Sequence, residues 1–178
     1  MKKIILALFI CIVTSFVIGC TSTKPITPQN PTETKNDTQE ISSEERKKIN
    51  LYVSAMKAAF KEENGGTGFI AVKLDKLEGL SDDAKNKVLK DLSVLSSNVY
   101  AFEEVKNDNA KFKYDDQGNL QRTIDGTLLS ISVEEYNHKE AIIVATSWFG
   151  NLGAVFPEYK ATYKDDTWHL ELLTMGIS

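Results

Sequence analysis

The most promising nucleophile in this sequence is Ser147, and its surroundings argue against that role. A serine hydrolase presents its nucleophile in Gly-x-Ser-x-Gly at a strand–helix elbow. Here Ala145-Thr146-Ser147-Trp148-Phe149 lacks the first glycine and continues an extended apolar pattern. The chain has two histidines. His138 falls in a predicted turn and His169 on the polar side of a predicted strand, so both read as solvated side chains. They do not form the paired spacing that zinc requires. Asp115-Asp116-Gln117-Gly118-Asn119 has the composition of a calcium loop. Its acidic residues are adjacent rather than alternate, however, and no glutamate closes it. It therefore reads as a hairpin turn, as do Asp125-Gly126 and Asp165-Asp166. No catalytic residue, metal ligand or cofactor is assigned, and the balance falls against an enzyme.

Contact with a ligand or partner is a separate question. The least ordinary stretch is Trp148-Phe149-Gly150-Asn151-Leu152-Gly153-Ala154-Val155-Phe156-Pro157, which holds three aromatics and two glycines. Glycine lets backbone approach another molecule closely, but it also shapes hairpins whose aromatics fill a core. Trp148, Phe149 and Asn151 are the candidate contacts here. Pro157 predicts a bulge or an edge strand, and an exposed edge can pair with another protein. Tyr159 and Tyr163 are further candidates, though tyrosines opposite Lys160 and Lys164 also suit a half-buried strand.

Ahead of any folded element stands Met1-Lys2-Lys3, then an uncharged apolar run over residues 4–18, then Gly19-Cys20. About fifteen residues are too few for a comfortable membrane span. A basic start, a short apolar stretch and a small residue match a secretory leader. Val17-Ile18-Gly19-Cys20 resembles the lipobox of bacterial lipoproteins, where the cysteine is lipidated and becomes the first residue of the mature protein. The resemblance implies a leader over 1–19 and acyl chains, palmitate among them, on Cys20. It also implies attachment to the lipid bilayer at the extracytoplasmic face of the cell membrane. Several acyl chains hold stably where one holds weakly, because each buried CH₂ contributes about 0.8 kcal/mol.

Two consequences follow for the rest of the chain. Cys11 and Cys20 are its two cysteines. With one in the leader and the other acylated, the mature domain is free of thiols, disulfides and cysteine metal sites. Removing Lys2 and Lys3 with the leader leaves 19 basic against 25 acidic residues. A mildly acidic domain is a poor partner for nucleic acid. Nor is it drawn to anionic headgroups, so the anchor alone holds it at the membrane.

Residues 20–42 contain three of the four prolines among Thr, Ser, Asn, Gln and Lys. Such composition does not bury enough apolar surface to order, and predicts a disordered tether reaching about 25 Å. A single domain over 43–178 remains, long enough for its own core.

The domain opens with a helix. Ser42 and Glu45 are placed as a capping box. Ile49, Tyr52, Val53, Met56, Ala59 and Phe60 share one face before Gly65-Gly66 stops it. Residues 69–74 fit a short strand or a packed loop. Ser81 caps a second helix over roughly 82–97, with Val88, Leu92 and Leu95 as its seam. Thereafter the period is two. Strands are expected over 99–105, 112–114 and 120–124. Another alternates Leu129, Ile131 and Val133 with polar residues, and residues 141–145, apolar on both faces, suit a central strand. Gly150-Asn151 turns into a strand carrying Tyr159, Ala161 and Tyr163. The last carries Trp168, Leu170 and Leu172.

Two N-terminal helices packed on a curved antiparallel sheet make an α+β domain. Three long terminal strands joined by short turns resemble the cone-shaped NTF2-like fold, with a cystatin-like wrap as the alternative. Glu63-Asn64-Gly65-Gly66, the Ser147 to Phe156 segment and the Met175-Gly176-Ile177-Ser178 ending resemble small Gram-positive lipoproteins that carry no assigned activity. Three functional expectations follow. The first is a tethered, non-enzymatic binding or accessory module at the cell surface, whose partner is a membrane or envelope protein, including a solute-transport complex. The second is a small-ligand binder or enzyme using an apolar NTF2-like cone, in which such folds place an aspartate or tyrosine. The third is a homodimer formed through the sheet.

Overall fold

The computed structural model describes residues 40–178, and the expected leader, Cys20 and most of the tether lie outside them. The first helix, α1 (Ser43–Glu62), starts as its sequence demands. Ser42 Oγ accepts the Glu45 N–H, and the Glu45 carboxylate accepts the Ser42 N–H in return. Its apolar face, from Ile49 to Phe60, is buried against the sheet.

The strands are β1 (Phe69–Val72), β2 (Val99–Ala101), β3 (Phe112–Tyr114), β4 (Leu120–Thr123), β5 (Gly126–Tyr136), β6 (Glu140–Gly150), β7 (Gly153–Lys164) and β8 (Thr167–Ile177). They join in one eight-stranded sheet. β5 to β8 form an antiparallel meander, with each strand paired to the next. β1 lies between β2 and β5 and runs parallel to both. The expected antiparallel, curved sheet is therefore corrected: the sheet is mixed and open, branching at β6, with β2, β3 and β8 as outer strands. The parallel pairing explains the sequence ambiguity at 69–72. All four residues of β1 are buried, as in a strand covered on both faces, so no alternation marked it.

Two further expectations change. The second helix, α2 (Asp82–Leu92), stops short of residue 97. Ser93, Ser96 and Asn98 bring side chains that compete for backbone partners, and Ser96 Oγ accepts the Asn98 N–H at 3.1 Å. The predicted strand over 99–105 divides into β2 and a single helical turn, α3 (Phe102–Val105). Residues three apart on a helix share a face, which lets Phe102 and Val105 pack on the same cluster.

α1 and α2 cover one face of the sheet. There Tyr52, Met56, Ile70, Val72, Leu129 and Ile143 are fully buried and fill the helix–sheet interface. The opposite face carries a second, smaller core around Phe112. The Phe112 ring meets Phe69 and Phe102 edge-on, each at 5.4 Å between centroids. This cluster draws the β3–β4 hairpin and α3 over the β1 end of the sheet. Pro157 sits in β7, which is flanked on both sides rather than lying at an edge. The bulge predicted for this position occurs with β8, one residue on, between Glu158 and Tyr159.

Candidate functional site

Ser147 is completely buried and donates to the Glu63 carbonyl at 2.6 Å. Beside it, Thr127 Oγ1 accepts the Gly65 N–H at 3.0 Å. The two hydroxyls satisfy the chain where it leaves α1, which is structural work. Nδ1 of His138 lies 2.9 Å from the Glu44 carboxylate, which also accepts from the Tyr136 hydroxyl at 2.5 Å. The Tyr136 bond, followed by His138 and Lys47, holds the Glu44 carboxyl below its ordinary value despite some burial. His169 is exposed on β8. The Asp115 carboxylate accepts from the backbone of Gln117 and Asn119 and from the Asn119 and Gln121 side chains, so it closes the hairpin loop. Those bonds, chiefly to Asn119, lower its pKa. Among the described residues no group of three or more His, Cys, Asp or Glu is placed to hold a metal ion.

The five candidate contacts separate onto two faces. Tyr159 is buried under α1, where burial raises its pKa and the nearby Glu62 charge adds to the effect. Tyr163 packs against Trp168 at a 57° tilt, 5.1 Å between centroids, with Lys47 Nζ 4.6 Å from the Tyr163 ring centroid. Trp168 in turn donates Nε1–H to the Lys47 carbonyl at 2.9 Å. These tyrosines therefore belong to the helix-facing core and its rim. Phe149 lies at one end of the sheet, against Gly65 and Gly153, and borders an open groove with Arg122 and Asn151. Asn151 stands in the β6–β7 turn and donates to Gln121 Oε1 at 2.7 Å.

Trp148 faces the other way. Register places it beside Leu128 on β5, and Thr146 beside Ser130. These four line a cleft of about 350 Å³ on the face away from α1, together with Lys73, Leu120, Asn151 and Phe156. Leu120 comes from the β3–β4 hairpin and Phe156 from β7, so the second core supplies one wall and the meander the floor. Of the sequence candidates only Trp148 and Asn151 meet here. Phe156 belongs to the same aromatic segment as Trp148. Spacing of two residues at Leu128/Ser130 and Thr146/Trp148 marks one face of each strand and could have joined them. Lys73 carries no such sequence signal.

No family model matches this chain, and no curated protein or solved structure is significantly similar to it.

Proposed function

We propose that this chain is an extracytoplasmic lipoprotein, anchored through acylated Cys20, whose folded domain is a non-enzymatic binding module. The observation that carries the binding role is the cleft around Trp148. It lies on the sheet face opposite the two long helices, where apolar side chains (Leu120, Leu128, Trp148 and Phe156) and polar ones (Lys73, Ser130, Thr146 and Asn151) line it together. Such a lining is characteristic of ligand sites. The anchor rests on the leader-like start and on Val17-Ile18-Gly19-Cys20. The NTF2-like relationship belongs to the same reading. Long antiparallel strands under two helices support it, while the parallel β1 and the open edge at β8 depart from a closed cone.

The anchor is tested by metabolic labelling with an alkyne fatty acid. The intact chain takes up label and is processed, whereas Cys20→Ala stays unlabelled and keeps its leader. Equal labelling of both would refute the anchor. The binding role is tested with a photo-cross-linking amino acid at position 156 on intact cells. Adducts that vanish with Trp148→Ala support it, and adducts indifferent to that change count against the cleft.

A further inference from the structure

The chemistry of the cleft narrows what it takes. Its floor and walls are Leu128, Trp148, Leu120 and Phe156, and no acidic side chain lines it. Lys73 is the one charged group in the lining. Its backbone is fixed where β1 ends, because its N–H donates to the Leu129 carbonyl at 3.0 Å. Its ammonium lies 5.8 Å from the Phe102 ring centroid, and among the described residues it forms no ion pair with a carboxylate. The Trp148 indole N–H likewise has no acceptor among the described residues. An ammonium and an indole N–H only donate. Ser130 and Thr146 add hydroxyls that can donate as well.

From this we infer that the cleft binds a small carboxylate carried on an apolar body, with the carboxylate at Lys73 and the body between Trp148 and Phe156. The inference rests on reading the domain as a binding module and names its ligand class. A cation is disfavoured because Lys73 would repel it, and no carboxylate in the lining offsets that repulsion. A neutral apolar molecule would leave the ammonium without an anionic partner. The aromatic walls favour a flat or ring-bearing body, since stacked rings gain beyond the area they bury.

The probe is phenylpropionate, with phenylpropionamide as its uncharged isostere, added to the full chain in lipid nanodiscs. The chain has two tryptophans. Fluorotryptophan labelling therefore gives two fluorine NMR signals, assigned through Trp148→Phe. Phenylpropionate is expected to shift the Trp148 signal saturably and leave Trp168, in the helix-facing core, unmoved. The amide should bind about tenfold more weakly, the equivalent of about 1.4 kcal/mol. Lys73→Gln should erase that preference while Lys73→Arg keeps it, with an unchanged Trp168 signal reporting an intact fold in both. No saturable shift, equal binding of acid and amide, or a preference that survives in Lys73→Gln would each overturn the inference. Fatty-acid labelling at Cys20 is independent of these outcomes, so the anchor stands or falls separately.

Discussion

Glu45 Oε1 accepts the backbone N–H of Ser81 at 2.8 Å, across 36 residues of chain. The other carboxylate oxygen, Oε2, closes the capping box with Ser42. One side chain thus serves the N-termini of α1 and α2, each of which leaves backbone N–H groups without helical partners. The hydrogen bonds to Ser81, then those to Ser42, hold the Glu45 carboxyl at about 2 instead of its ordinary 4.5.

A pH dependence follows from this. The folded-state pKa lies below the unfolded one, so protonation favours the unfolded chain. The contribution of Glu45 is complete above about 4.5 and disappears as the pH falls towards about 2. Urea unfolding midpoints measured across that window should fall more steeply for the native chain than for Glu45→Gln. Parallel curves would mean that the shared cap contributes nothing to acid stability.

Ser81→Ala removes the side-chain acceptor of the Ala84 N–H at the start of α2. Loss of such a cap costs about 1 kcal/mol. Ser81→Ala also deletes the side-chain hydrogen bond that lowers the Glu45 pKa most, so Ser81→Ala and Glu45→Gln should be coupled rather than additive in denaturant titrations. Strict additivity between them would show that the two caps act independently.

Phe112 is fully buried between two other rings. Phe112→Ala should therefore cost about 3–5 kcal/mol, the range for emptying an aromatic core site. The same change should loosen the β3–β4 hairpin that carries Leu120, and with it the cleft. Faster amide exchange confined to residues 110–124 would confirm the local effect. Uniform acceleration across the chain would show instead that the second core is inseparable from the first.

Gly126 lies where β5 pairs with Phe69 of β1, and a Cβ there would overlap the Phe69 ring. The ring is boxed in by Phe112 and cannot swing aside freely. Gly126→Ala should destabilise by about 1–3 kcal/mol, as overpacking does. A thermal midpoint equal to that of the native chain would show that the ring gives way.

Ser147→Ala separates a structural serine from a catalytic one. Deleting the hydroxyl leaves the Glu63 carbonyl without its donor, a loss of about 1–3 kcal/mol in a buried setting. Phenylpropionate binding should persist, since Ser147 faces away from the cleft. A variant as stable as the native chain would contradict this assignment.

Much of the fold was legible because its signals are local. The capping box at Ser42, the apolar stripe of α1 and the Ser81 cap need only neighbours along the chain. The β7–β8 turn is equally local: Asp165 and Asp166 both adopt positive φ, 50° and 58°, as tight two-residue hairpins require. The alternation along β5, β7 and β8 announced strands with one buried face. Where the reading failed, a distant partner had overridden the local preference. Residues 102–105 look extended until Phe112 offers Phe102 and Val105 a common cluster, and β1 shows no alternation because it is buried on both sides.

The candidate site was less legible for the same reason. Trp148, Phe149 and Asn151 stood out by composition, yet neighbours along a strand point to opposite faces, so no stretch of sequence could tell which of them would meet. Tyr159 and Tyr163 were drawn to the helix side by register. From sequence alone came the α+β class, together with the expectations of a lipid address at Cys20 and of a mature chain without thiols. Only the tertiary structure decided that β1 pairs in parallel and that the sheet stays open. It alone brought Lys73 to a cleft with Trp148 and Phe156. Those outcomes depend on which strands pair and in what register, and pairing is a contest among distant segments that no local pattern records.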